Sequence, residues 1–150
     1  MKWPSQLVFK FLSEGKDNVL ENLIVHFMIL AQRKNNYSFA PMLSNSVGEV
    51  IITKQQLLET IQFAQRDSPM DYADGLERCK GLLVIIENEA ELKERANRLS
   101  QFYPESAERL RQLMRISSNS HVKSLKRRIK SSRSPVTIYV ETIPRTLKRL

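Results

Sequence analysis

One cysteine, Cys79, is all the chain contains, which excludes an intramolecular disulfide and any multi-cysteine zinc site. Cysteine this scarce fits a reducing compartment. Glycine is nearly as thin. Gly15, Gly48, Gly75 and Gly81 are the full set, and neither a P-loop nor a dinucleotide-binding glycine pattern is present. The two histidines, His26 and His121, lie in an apolar run and at the head of a basic segment. Nothing local sets either beside Cys79 with an orienting acid, as a cysteine nucleophile requires, so Cys79 reads as a structural thiol. Long hydrophobic runs are missing too. The longest, LIVHFMILA from Leu23 to Ala31, has nine residues, too few to cross a bilayer as a helix. The stretch MKWPSQLVFKFL is interrupted by Pro4 and Lys10 and leads to no small-residue cleavage site, so no signal peptide is expected. The expectation is a soluble, cytoplasmic protein.

What the chain does have is an ordinary globular balance, 41% hydrophobic and 27% charged, which sets it apart from disordered sequences. Its 150 residues suit a single domain, 1–150, able to bury a core without disulfides or metals. Charge is distributed unevenly. Residues 121–150 hold nine basic residues and one acid, Glu141, and so carry the whole net charge of +8. Residues 1–120 hold fifteen of each sign and sum to zero. A neutral body with a basic C-terminal fifth points to an acidic partner: nucleic acid, an anionic membrane or an acidic protein surface.

Periodicity supplies the elements. LVFKF puts Leu7, Phe9 and Phe11 on one side, as in a strand. Residues 19–31 fit either a helical stripe (Leu20, Leu23, Ile24, Phe27, Ala31) or a strand buried on both faces. Ile24, Val25, Phe27 and Ile29 favour the strand. YSFAPML adds a short strand, with Pro41 marking an edge or bend. Asn45, Ser46 and Gly48 form a turn, Glu49–Ile52 a strand, and Thr53 with Gln56 a capping box opening a helix that carries Leu57, Leu58, Ile61 and Ala64. A short helical turn is expected from Asp71. LLVIIE is a second interior strand. Asn88 and Glu91 form another capping box ahead of a helix with Leu92, Ala96, Leu99 and Phe102 inward. Pro104 opens a third helix, burying Ala107, Leu110, Leu113 and Met114. HVKSLKRRIK reads as a basic amphipathic helix with Val122, Leu125 and Ile129 on one side; SSRSP is a linker and VTIYVE a last strand. The fold class is therefore α+β: a mostly antiparallel sheet or small sandwich with a helical insertion before the last strand, which returns to lie beside the first.

The passage YSFAPMLSNSVGEVIIT, following a β-rich start, resembles the strand–turn–strand passages of transthyretin-like and Cna-B-like β-sandwich modules. The likeness covers the first third of the chain and implies a sandwich. Asn45 and Ser46 stand where those families often carry an acidic turn residue, and the helices at 89–116 have no counterpart there. The resemblance implies no catalytic or binding residue.

Asp67, Asp71, Asp74 and Glu77 form the best candidate acidic cluster for a cation, but the spacing matches no calcium loop, and capping and solvation account for it. No metal or other cofactor is expected. The functional candidates are Lys123, Lys126, Arg127, Arg128, Lys130 and Arg133, within the basic segment and linker 121–135. They offer a positive surface to phosphates or carboxylates. Tyr139 is the only aromatic residue after Tyr103, so the stacking platform of single-strand binders is missing. The expectation is a non-enzymatic binding or accessory module for an acidic protein surface. The alternatives are DNA or RNA binding through the same segment, and an enzyme without a local signature, which a pocket with convergent polar groups would revive.

Overall fold

The computed structural model describes residues 5–31, 37–65, 79–130 and 134–143. Strand β1 (Gln6–Ser13) alternates as its sequence dictates: Leu7, Phe9, Phe11 and Ser13 are buried, while the residues between them are partly open. β2 (Ile24–Ala31) takes the strand option, and its run from Leu23 to Phe27 is buried on both faces. β3 (Tyr37–Ser38) and β4 (Met42–Leu43) flank Pro41 and each pair briefly with β2. Proline donates no ladder bond, which is why the pairing is split in two.

The turn at Asn45 is held by its side-chain oxygen, which accepts from Val47 and Glu49 N–H. Gly48 closes it at φ 76. A Cβ there would stand 2.9 Å from the Phe11 carbonyl, so the left-handed backbone and the close approach both require glycine. β5 (Glu49–Thr53) runs straight into α1 (Lys54–Gln65) through the expected box. Thr53 Oγ1 accepts from Gln56 N–H at 3.1 Å, and Gln56 Oε1 accepts from Thr53 N–H at 2.8 Å. Leu57 is buried; the side chains of Leu58, Ile61 and Ala64, and the turn at Asp71 with its acidic cluster, lie outside the described residues.

β6 (Cys79–Ile86) leads to α2 (Glu89–Phe102), whose Asn88–Glu91 capping box is complete. Pro104 opens α3 (Pro104–Ile116). Leu92, Ala96, Ala107 and Leu110 are buried as expected, whereas Phe102 is 77% exposed. It sits on the last turn of α2, where the chain bends into α3 and the shared stripe runs out.

The largest correction falls on the basic segment. HVKSLKRRIK is not a helix: Asn119–His121 is a single 3-10 turn, and Leu125–Ile129 is strand β7, antiparallel to β6. Gly81 makes that pairing possible, since a Cβ on it would lie 2.6 Å from the Ile129 carbonyl. The helical insertion therefore precedes β7, and β8 (Val136–Val140) ends the described fold. As expected, β8 lies beside β1, and it does so in parallel.

Two sheets result, ordered β5-β1-β8 and β3-β2-β6-β7, with β4 also on β2 and every pairing but β1·β8 antiparallel. Their inner faces share one core, including Phe9 and Phe11 from the first sheet and Phe27, Val84 and Ile129 from the second. The Phe9 and Phe27 rings stand 5.0 Å apart at 48°, a tilted pair contributing about 1 kcal/mol beyond its buried area. A smaller cluster, Ile24, Leu92, Ala96 and Leu110, fixes the α2–α3 hairpin to the outer face of the second sheet.

Asn119, wholly buried, ties that corner together. Its Oδ1 accepts from Ile24 N–H at 2.7 Å, and its Nδ2 donates to the carbonyls of Ile24 and Glu87 at 3.1 and 2.8 Å. One side chain thus completes the hydrogen bonding of three backbone groups that water does not reach. Among the described residues, no helix is long and apolar enough to cross a membrane.

Candidate binding surface

β7 divides its side chains between two faces. Leu125, Arg127 and Ile129 stand opposite Ile86, Val84 and Leu82, on the core side. Lys126 and Arg128 stand opposite Ile85 and Leu83, on the outer face. Lys130, just past the strand, is exposed as well. These three cations repeat at the strand's period of two and span about 14 Å. None of them meets a carboxylate among the described residues.

The other cations of the segment have different situations. Arg127 keeps its stem on the core side, and its guanidinium donates to the Thr137 carbonyl at 3.4 Å, spanning the seam between β7 and β8. The seam is closed at one end by the Val122–Thr142 bridge and by Lys123 N–H on the Glu141 carbonyl. Crossed by Arg127 and tied in this way, the outer edge of β7 is a poor template for an added strand. Lys123 Nζ is held by Glu141 at 2.8 Å, so its charge is already matched. Arg133 lies outside the described residues. Carboxylates also border the strip: Ser124, just before β7, donates to Glu91 on the first turn of α2.

Farther across the same outer face, β2 and the α2–α3 hairpin enclose a cavity of about 340 Å³. His26, Met28 and Ile85 form its floor, Phe39 and Leu99 its apolar sides, and Arg95 and Arg109 its charged lining. His26 is 8% exposed. Its Nδ1 lies 3.7 Å from Glu87 Oε1, beyond hydrogen-bond reach, and has no hydrogen-bond partner. Glu87 is instead bound by Arg95, Nε to Oε1, at 2.5 Å. Burial first, and then the Arg95 charge, lower the His26 pKa from 6.5 to about 4, against an opposing pull from Glu87. At neutral pH the imidazole is therefore uncharged, and Glu87 is paired with Arg95 alone.

Of the six residues read from sequence, the structure sets Lys126 and Arg128 on the outer face of β7, leaves Lys130 exposed just past the strand, sends Arg127 across the seam and pairs Lys123 with Glu141. Sequence reasoning missed the cavity entirely. Its floor and walls come from β2, the β3–β4 link, β6, α2 and α3, and no local pattern joins those segments. The one usable signal was a histidine inside the apolar run of β2, since a buried imidazole needs company. Compared with known proteins, the chain matches no family model, no curated protein and no solved structure.

Proposed function

We propose that this protein is a non-enzymatic binding module whose outer β7 face, Lys126, Arg128 and Lys130, receives an acidic segment of a partner protein. The observation that carries this reading is the row of three exposed cations on one face, without carboxylate partners among the described residues. β7 fixes the backbone from which the first two side chains project, so only side-chain order has to be created on binding. Each exposed pair contributes roughly 0.2–1 kcal/mol, so the row supports a weak, salt-sensitive contact. Leu83, half-buried and in register with Arg128, offers apolar surface to strengthen it.

An acidic protein segment fits this surface better than a long polyanion does. The row is short, and Glu91 borders it through Ser124, where the phosphates of a duplex running past the row would be repelled. Catalysis draws less support from the neighbouring cavity. A general base works best near its operating pH, whereas the pKa of His26 is about 4, and Glu87 is taken by Arg95.

The test is a titration of the isotope-labelled protein, followed by amide NMR, at about 0.15 M salt, where screening is physiological. The probes are a peptide of alternating glutamates, a single-stranded oligonucleotide and a duplex. The expected result is peptide-induced shifts centred on residues 125–130 and smaller shifts with either nucleic acid. Stronger shifts with an oligonucleotide would transfer the site to nucleic acid. No shifts on β7 with any probe would end the proposal.

A further inference from the structure

The cavity beneath the α2–α3 hairpin is separate from the β7 row, and its chemistry is different. Its walls are mostly apolar, with Met28, Phe39, Ile85 and Leu99 among them. Its charges nearly cancel: Arg95 is bound to Glu87 at 2.5 Å. That leaves Arg109, exposed and without a carboxylate partner among the described residues, as the one uncompensated charge on the lining. A volume of about 340 Å³ lies at the small end of the range for small-molecule sites.

We propose that this cavity binds a small monocarboxylate with an apolar body, an alkyl or aryl acid of about eight carbons, whose carboxylate is taken by Arg109. The apolar walls favour the body through loss of water contact. Arg109 selects the head, because a guanidinium fork matches a carboxylate and can bind both oxygens. A dianionic head is less well suited, since one free cation faces it and Glu87 lies behind the floor. An ammonium head would meet Arg109 and be repelled.

The experiment is calorimetric titration with octanoate, octan-1-ol and octylamine. The wild type is expected to bind octanoate saturably, with octan-1-ol at least about tenfold weaker and octylamine weaker still. Arg109→Gln, at an exposed position, is expected to bring octanoate down to the level of the alcohol. Ala40→Trp, also at an exposed lining position, fills the mouth and is expected to remove both ligands. Both variants are first shown to be folded by their amide spectra. A further variant with Lys126, Arg128 and Lys130 all replaced by glutamine is expected to bind octanoate as the wild type does, which separates this site from the β7 surface. The proposal is overturned if the wild type shows no saturable octanoate binding up to about 10 mM. It is equally overturned if octanoate binding survives Ala40→Trp, or if Arg109→Gln leaves it unchanged.

Discussion

Asn119 and β7 lie close in sequence and differ in almost every physical respect. Asn119 carries no charge, is wholly buried and completes three backbone hydrogen bonds. The outer face of β7 carries charge and is exposed, and its cations have no carboxylate partners among the described residues. Stability rests with groups that have no alternative partner once water is gone; charge at the surface is left available for another molecule. The comparison also explains why the most eye-catching feature of the sequence says little about what holds the fold together.

The largest loss of stability is expected from Asn119→Ala, which strands the Ile24 N–H and the Ile24 and Glu87 carbonyls at once. Urea unfolding is expected to show a loss of about 4 kcal/mol, at roughly 1–3 kcal/mol for each buried group left unsatisfied. A loss below about 1 kcal/mol would mean that other groups satisfy them.

Next comes His26, a buried group whose pKa is held well below its ordinary value. Its folded pKa, about 4, is below the unfolded value near 6.5, so between these values the unfolded chain binds more protons. Its contribution is therefore fully present above pH 6.5 and is lost as pH falls toward 4, by about 3 kcal/mol in all. Unfolding free energies measured between pH 7 and 4 are expected to fall less steeply for His26→Gln than for the wild type. Parallel curves would contradict the buried, neutral imidazole.

Smaller again is the cap of α2. Asn88→Ala is expected to cost about 1 kcal/mol in the same unfolding assay, since it removes the acceptor for Glu91 N–H.

How much of this was readable in advance depended on whether the deciding partner was local. The capping boxes at Thr53 and Asn88 were legible because their partners are three residues away, and Gly48 because a turn declares its own backbone. β1, β6 and β8 were legible from period two and β-branched runs. β7 was misread because Val122, Leu125 and Ile129 fit a helical stripe, while Arg127 hides the alternation of Leu125, Arg127 and Ile129. What makes β7 a strand is the open edge of β6 and the missing side chain at Gly81, neither visible from residues 121–130. Phe102 was assigned to the core because periodicity does not say where a neighbouring helix turns away. For the candidate surface, the six cations were visible as a cluster. Their division into an outer row, an arginine crossing the seam and a paired lysine came from pairing with β6, β8 and Glu141. The His26 cavity and the Asn119 corner were illegible, because each is assembled from segments far apart in the chain.

The smallest expected effect on stability belongs to the proposed binding row, where binding rather than folding is at stake. The protein with Lys126, Arg128 and Lys130 all replaced by glutamine is compared with the wild type in paired measurements of urea unfolding and affinity for the alternating-glutamate peptide. The expected result is unfolding free energies within about 0.5 kcal/mol of each other, together with a loss of peptide affinity of tenfold or more. A variant that unfolds readily, or one that binds the peptide as the wild type does, would contradict it.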